Sequence, residues 1–404
     1  MATLANDSYS AASGGSIHAG RFALPTWRPV PGTVAAIGLN TLSDVDPDPG
    51  RTHDYALMMG QNGLNAWNTS NYAPNLGAMG SVVYAGAGGH GDYSGTEIYR
   101  FDVATRTWSR PTDPVDFTLP LVEGDHGWDA TWTDFDVGGS KIPCSTHTYD
   151  YPRIIPPGTL GVGAAGGILS PINMEAPLSG DSAFKTHILD LATYNWVRST
   201  GNDAPYSASP VNGGSCLDLD RNRLIMAHHN QWWIHCMDLT TMTWTIKDLT
   251  NVNGFGEYTF ASQVDPVFPL MLTPQRDGNI RAIDVSATGN WTWVTLTLSG
   301  DALWDVVGGS EDVSIGIEYI ASIRKYVMYH RQAHTNILFW LTPPASNPLS
   351  NAWAVERETF TGSMSIGAYD YQGKRFCYCP PAKCFLFHMG TSSPMYAITS
   401  TKAL

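Results

Sequence analysis

Charge is scarce in this sequence. Lys, Arg, Asp and Glu make up 15% of its 404 residues, against ~25% in ordinary soluble proteins, and no run of Lys or Arg stands out. The formal net charge is −13. Nucleic acid and anionic membranes both reward clustered cations, so neither is expected as a partner. Long apolar runs are also missing. None approaches the ~18 residues of a spanning helix, and no membrane insertion is expected. The first twenty residues, through Ser8, Ser13 and Gly20, contain no apolar segment preceded by Lys or Arg, so no secretory signal is readable. The expectation is a soluble chain made in a cytoplasm.

Paired metal-binding cysteines are lacking as well. The six cysteines are Cys144, Cys216, Cys236, Cys377, Cys379 and Cys384, with no CxxC among them. The last three lie close together, but a zinc site wants four ligands at paired spacing. They read as small apolar residues in a hairpin. A serine elbow (GxSxG), a phosphate loop and HExxH are all absent. No catalytic residue, metal or cofactor is assigned.

What the chain has in quantity is glycine (40), proline (26) and tryptophan (14), the makings of short strands, tight turns and flat aromatic packing. One segment sets a pattern. Ser81 to Arg110 runs SVVYAGAGGHGDYSGTEIYRFDVATRTWSR: an apolar strand, a glycine-rich turn, an alternating strand, an aspartate, a Thr-x-Thr turn and a tryptophan. Short side-chain oxygens such as those of Asp and Thr satisfy backbone N–H groups in turns, and the tryptophan supplies a plate to pack between sheets. The same grammar recurs at His187 to Arg198, His235 to Lys247 and Asn279 to Val294. Hairpins precede it, as in Gly214 to His228, whose Asp-x-x-x-Asn turn joins two apolar strands. Ser314 to His330 and Ser363 to His388 repeat the hairpin with degenerate turns. Four strands per unit follow.

Trp108, Trp196, Trp244, Trp293 and Trp353 mark five fourth strands. A sixth unit ends with the third strand Met395 to Thr399 and leaves no room for a fourth. Thr26-Trp27-Arg28-Pro29 is expected to supply it from the N-terminus, closing a ring with no open sheet edge. The interval from Trp108 to Trp196 is 88 residues against 48 and 49 for the next two. Asp113 to Ser140 lacks paired apolar strands, so 111–143 reads as an inserted loop. Six units are expected, with seven as the alternative. The whole chain, 1–404, reads as one domain, with 1–25 as an N-terminal extension.

This repeat resembles that of the kelch superfamily, including the galactose-oxidase-like propellers, and covers nearly the whole chain. The resemblance implies an all-β, six-bladed kelch-type β-propeller with an N-terminal strand closing the last blade. The first unit is more particular. Ala66-Trp67, Tyr84, Gly86-Ala-Gly-Gly-His-Gly-Asp-Tyr93 and Glu97-Ile-Tyr-Arg-Phe-Asp102 resemble the opening blade of kelch-like proteins encoded by tailed bacteriophages. Ser145-Thr-His147-Thr-Tyr149 resembles the start of their next blade. Thr96, where those proteins usually carry Asn, and a shorter glycine run depart from the pattern. The resemblance implies a non-enzymatic virion component in a tail, baseplate or capsid-associated position. Its partners would be other virion proteins, and it would have scope to present a receptor-binding face to a host surface glycan or protein. The alternative is a glycan-binding or glycan-processing propeller. An intracellular kelch scaffold ranks last, because no adaptor domain fits before Trp27.

Four second strands end on histidine: His90, His228, His330 and His388. They are expected near one face of the disc, either as a proton-sensitive rim or as rings bonded within their own turns. Pseudo-symmetry sets them too far apart to share a metal at ~2.1 Å. A copper-radical oxidase needs a Cys–Tyr pair and two histidines at the channel. Tyr329, His330 and His334 supply some of these types, but no motif places the set. Asp44, Asp46 and Asp48 begin like a calcium loop, which then fails at Pro49 and Tyr55 where glycine and glutamate are required. The inserted loop gathers Asp125, His126, Trp128, Asp129, Trp132, Asp134 and Asp136, a set suited to stacking on a sugar or to a protein contact. The expected binding residues are His126, Trp128 and Trp132 there, with His90, Asp92 and Tyr93 in the first glycine-rich turn.

Overall fold

A computed structural model describes residues 24–45, 69–85, 97–113, 134–137, 140–143, 148, 150–171, 186–198, 213–228, 233–250, 263–275, 277–286, 288–304, 315–330, 336–364, 375–388, 390, 392–402 and 404. The described chain is all-β and builds a propeller. After strand β1 (Val34–Ala36), the first unit comprises β2 (Asn71–Ala73), β3 (Ser81–Ala85), β4 (Ile98–Asp102) and β5 (Thr107–Ser109). A separate hairpin, β6 (Asp134–Val137) and β7 (Ser140–Pro143), precedes the second unit of β8 (Arg153–Ile155), β9 (Gly167–Ser170), β10 (His187–Asp190) and β11 (Asn195–Arg198). The third holds β12 (Gly213–Asp218), β13 (Arg223–His228), β14 (Trp233–Asp238) and β15 (Trp244–Thr250). The fourth holds β16 (Gln263–Val264), β17 (Leu270–Pro274), β18 (Ile280–Asp284) and β19 (Trp291–Thr295). Then β20 (Leu298–Gly300) joins the fifth unit, β21 (Ile315–Ile320), β22 (Lys325–His330), β23 (Ile337–Thr342) and β24 (Trp353–Thr359). The last unit is β25 (Phe376–Cys379), β26 (Cys384–His388), β27 (Met395–Ile398) and β1.

Turn chemistry builds each unit as the sequence grammar implies. At the end of the third strand an aspartate folds back on its own turn. Asp102 Oδ1 accepts the N–H groups of Ala104 and Thr105 at 3.0 Å, and Asp238 Oδ1 those of Thr240 and Thr241 at 2.8 Å. The turn closes on a left-handed residue, Arg106, Tyr194 or Met242, with φ of 60°, 57° and 54°. Each donates its N–H to the carbonyl of Asp102, Asp190 or Asp238 at 2.8 Å. First and second strands are joined by a 3-10 turn ending in a left-handed residue, Asn222, Arg324 or Lys383. The hairpins with degenerate turns therefore keep the geometry of Asp218–Asn222.

Strand residues alternate between two faces, and in a ring of upright sheets both faces are buried. Val82 and Tyr84 face the last unit, in a core with Cys377, Cys379 and Leu386. Val83 and Ala85 face the second unit, in a core with Ile168 and Leu189. Four further cores lie between successive units: second and third, third and fourth, fourth and fifth, fifth and last. The first strands also touch in cyclic order, β2–β8–β12–β16–β21–β25 and back to β2. Six four-stranded units thus complete the cycle among the described residues.

Two expectations are corrected. The last unit is closed from the N-terminus against Met395–Ile398, but the closing strand is Val34–Ala36, with Val34 opposite Ile398 and Ala36 opposite Tyr396. Thr26 to Pro29 forms a turn that packs Trp27 on the seam core. The apolar pattern of Val34-Ala-Ala-Ile37 is too short and too small to announce a strand. Residues 111–143 are also not free of paired strands, since β6 pairs with β7 and β7 runs beside β11.

A belt joins the outer strands. The end of β15 pairs in parallel with the start of β19, Leu249 opposite Trp291. Beyond β19 the chain becomes β20 and pairs in parallel with β24. Beyond β24, Thr361 bridges Thr33 at the start of β1. Beyond β1, Leu39 donates its N–H to the Arg106 carbonyl at 2.9 Å. The Asn40 side chain both accepts the Trp108 N–H at 2.7 Å and donates to its carbonyl at 3.1 Å. One amide thus satisfies β5 as a fifth strand would.

Candidate functional site

In an up-and-down unit, the turns joining strands one to two and three to four leave from one end. The loops joining two to three and the connections between units leave from the other. In sequence, the expected binding residues fall in connections of the second kind. His90, Asp92 and Tyr93 fall in 86–96, and His126, Trp128 and Trp132 in 114–133, outside the described residues. So do Asp46, Asp48, Asp125, Asp129 and Cys144. The structure describes the frame carrying them. Ala85 pairs with Ile98 across the base of the first loop. The inserted segment leaves β5 through an Arg110–Asp113 ion pair of 3.0 Å and returns along β6 and β7.

A buried cluster lies at the seam between the first and last units. His388, at the end of β26, places Nδ1 3.1 Å from the Tyr84 hydroxyl and its ring 4.8 Å from that of Trp108. The Arg375 guanidinium lies 5.9 Å over the Tyr84 ring. Tyr99 donates to Glu97 Oε1 at 2.7 Å. All of these residues are buried.

Of the four histidines expected at a rim, the two whose side chains are described do not lie at one. His388 and His330 are turned into the cores, His330 with its ring 5.0 Å from that of Trp304; the backbone of His228 ends β13. His187 and His235 on third strands set their rings edge-on to Trp196 and Trp244, at 6.3 and 6.4 Å. An imidazole here fills the place of an aromatic side chain, which strand position alone cannot distinguish from an exposed one. Burial pushes His388 down to about 3, with the Arg375 charge adding to the effect and backbone hydrogen bonds to Ser393 and Gly390 opposing it. Burial pushes His235 down to about 4.

A pH dependence follows. An unfolded histidine titrates near 6.5. Below that pH the unfolded chain takes up protons that buried neutral His388 and His235 refuse, so stability falls as pH falls. The slope is about 1.4 kcal/mol per pH unit per group, flattening as each folded pKa is passed. Between pH 6.5 and 5 carboxylates contribute little. Denaturant unfolding across that window should show a shallower slope for His388→Gln than for the parent chain; equal slopes would refute the assignment.

First-strand residues such as Asn71, Ile155, Val264, Ile317 and Phe376 are buried, and the Tyr151 hydroxyl abuts Gly213 so closely that no Cβ fits there. The carboxylates nearby have structural roles. Asp150 pairs with Arg153 at 2.6 Å, and Arg153 also reaches the Ser215 carbonyl of the third unit. Asp265 accepts from Tyr326 at 2.5 Å and from the N–H groups of Val267 and Phe268 at 2.7 Å. Asp44, expected in a calcium-like loop, accepts from the Thr41 N–H and hydroxyl at 2.7 and 2.9 Å, bonds that lower its pKa, the backbone one most. No helix of the described residues is long and apolar enough to cross a membrane.

Trp304 is a structural residue the repeat grammar misses. It lies past β20 and donates from Nε1 to the Gln275 carbonyl at 2.8 Å, wedged between the fourth and fifth units. Its only signal was a tryptophan out of phase with the others.

No protein-family model and no curated protein matches this sequence. Solved structures do. A Bacteroides thetaiotaomicron structural-genomics protein of unknown function is 10% identical with a TM-score of 0.47, covering 91% of this chain and 75% of its own. The major Malassezia sympodialis allergen Mala s 1 is 11% identical with a TM-score of 0.46, covering 84% and 94%. YCF48 bound to D1 peptide is 10% identical with a TM-score of 0.38, covering 84% and 96%. Likenesses this distant say nothing of what this chain binds, and the propeller rests on its own sheets and cores.

Proposed function

We propose that this chain is a protein-docking kelch propeller and a component of a bacteriophage virion, whose docking face is the end bearing the long connections. The observation that carries the docking part is the belt. An open outer strand would invite pairing with another chain. Here β15 and β19 pair with each other, β20 covers β24, Thr361 meets β1, Asn40 caps β5 and β7 runs beside β11. Strand addition at the rim is thereby disfavoured. With one end built of tight turns, the long-loop end remains, and long connections are where rigid scaffolds place recognition. The virion part rests on the sequence resemblance of the first unit.

The test is whether the chain is a stoichiometric component of purified particles, read by quantitative mass spectrometry, and whether cross-links map to 86–96 and 114–133. A protein found only free in solution that binds or cleaves a sugar would replace this reading with the glycan one.

A further inference from the structure

The hairpin β25–β26 is closed by two cysteines. Cys379 ends the first strand, Cys384 begins the second, and they are direct partners in the antiparallel register. Opposed residues in such a ladder have Cα atoms about 4.5–5.5 Å apart, inside the ~4.4–6.8 Å that a disulfide spans. Register partners also project to the same side of the sheet, and both thiols sit in the seam core with Cys377. Both are free thiols.

We propose that Cys379 and Cys384 are a disulfide-forming dithiol whose access is controlled by the N-terminal segment. This inference stands apart from the docking function. The surroundings assign the two sulfurs different roles. Burial raises the Cys379 pKa, but its hydrogen bonding with Cys384, with Tyr72 and with the Ala382 N–H outweighs this and leaves the thiol lowered. Cys384 is raised, first by its hydrogen bond to Cys379 and then by burial. Cys379 Sγ lies 3.6 Å from the Tyr72 hydroxyl. Cys379 is thus the attacking sulfur and Cys384 the one that holds the proton. The other three described thiols are different, and Cys377 faces Leu386 across the ladder. Burial pushes Cys216 far up and Cys236 up to about 12, and neither faces a second cysteine in its ladder.

Access comes through the turn. Pro380 and Lys383, in the turn that joins the two cysteines, are exposed. Arg28 holds that turn shut, donating from Nε to the Ala382 carbonyl at 2.7 Å and from Nη2 to the Lys383 carbonyl at 3.1 Å. Trp27 packs on the same core.

With oxidised glutathione as the oxidant, the Cys379 thiolate attacks one sulfur of the glutathione disulfide and releases one glutathione thiolate. Cys384, giving up its proton, then attacks the Cys379 sulfur of the mixed disulfide and expels the second glutathione. Two protein thiols are oxidised and one glutathione disulfide becomes two thiols, with two electrons transferred.

The full chain is incubated with oxidised glutathione under native conditions and examined by intact mass and peptide mapping. The expected product has lost two hydrogens and carries a Cys379–Cys384 link, with Cys216 and Cys236 unmodified. Cys384→Ala should instead stop at a glutathione adduct on Cys379. Arg28→Ala should speed oxidation several-fold without altering the product. If the folded chain stays fully reduced under conditions that oxidise the same chain in denaturant, or if glutathione distributes over all thiols alike, the proposal fails. An unchanged rate in Arg28→Ala, with circular dichroism confirming the fold, overturns the gating part alone.

Discussion

A chain beginning at residue 42 should fail to form the native ring, whereas one beginning at residue 32 should fold with a modest loss of stability. The difference lies in the ten residues between. Val34 and Ile37 are buried, and burying each is worth about 1.5–3 kcal/mol. Leu42, the first residue kept, would lose its anchor in the same seam core. The segment also forms backbone hydrogen bonds to three units. Val34 donates to Thr361 at 2.9 Å in the fifth, Ile37 to Met395 at 2.8 Å in the last, and Leu39 to Arg106 at 2.9 Å in the first. Asn40 adds its two bonds to Trp108. At roughly 1 kcal/mol net per bond, the total is comparable with the ~5–15 kcal/mol that holds a typical protein folded. Deletion to residue 31 removes the Arg28 clasp and the Trp27 contact but keeps β1. Thermal unfolding followed by circular dichroism distinguishes the two. If the chain beginning at residue 42 melts at the parent temperature, the closure by β1 is wrong.

Glu358→Ala should lower the unfolding free energy by about 2–4 kcal/mol. Glu358, on β24, is the catch for the C-terminus. Its Oε2 accepts from Trp340 Nε1 at 2.7 Å and from the Ser400 hydroxyl at 2.6 Å. Its Oε1 accepts from the Thr401 N–H at 2.6 Å and the Thr401 hydroxyl at 2.8 Å. Half-burial raises its pKa, but these bonds prevail and hold it below the usual glutamate value. Hydrogen bonds to a charged group are worth about 1.5–3 kcal/mol each, and removing the acceptor strands its donors. Glu358→Gln should recover only part of the loss, because the amide nitrogen cannot accept from the donors at whichever oxygen it replaces. Removing residues 400–404 should reproduce most of the alanine effect, and combining the two should add little. Additive losses in denaturant titrations would show that Glu358 does not act through the tail.

The two ends meet on the same strands. Thr399 donates from Oγ1 to the Val30 carbonyl at 2.5 Å, Thr399 N–H bonds the Thr33 carbonyl at 2.9 Å, and Ser400 to Lys402 run onto β24. Both termini therefore fasten the last unit to the fifth.

The repeat unit was legible because its chemistry is local. An aspartate that bonds its own turn at Asp102 or Asp238, a left-handed residue four positions on, and an aromatic after it depend on neighbours in the chain and recur visibly. The same locality makes Trp108, Trp196 and Trp353 reliable markers. At Trp293 it was less reliable: the deeply buried ring of that strand is Trp291, while Trp293 is partly covered by Arg281 at 5.0 Å. Period-two patterns count residues on a face but cannot say which of two tryptophans faces the core.

The candidate site was the less legible part. His330 and His388 were correctly placed at strand ends but not in depth, because depth depends on whether Trp304 or Trp108 from a neighbouring segment arrives to cover them. The residues expected to bind a partner lie outside the described chain, and the pairing of Cys379 with Cys384 became evident only when the register placed them opposite each other.

By itself, the sequence determined the all-β class, the four-stranded unit, its turns, and closure of the last unit from the N-terminus. These follow from strand periodicity and turn residues separated by a few positions. Tertiary structure alone decided which N-terminal residues make the closing strand, the belt along the outer strands, the burial of the histidines and the dithiol. Each is a contact between residues tens to hundreds of positions apart. Such contacts are set by how neighbouring sheets twist and pack, and a linear pattern carries no record of that geometry.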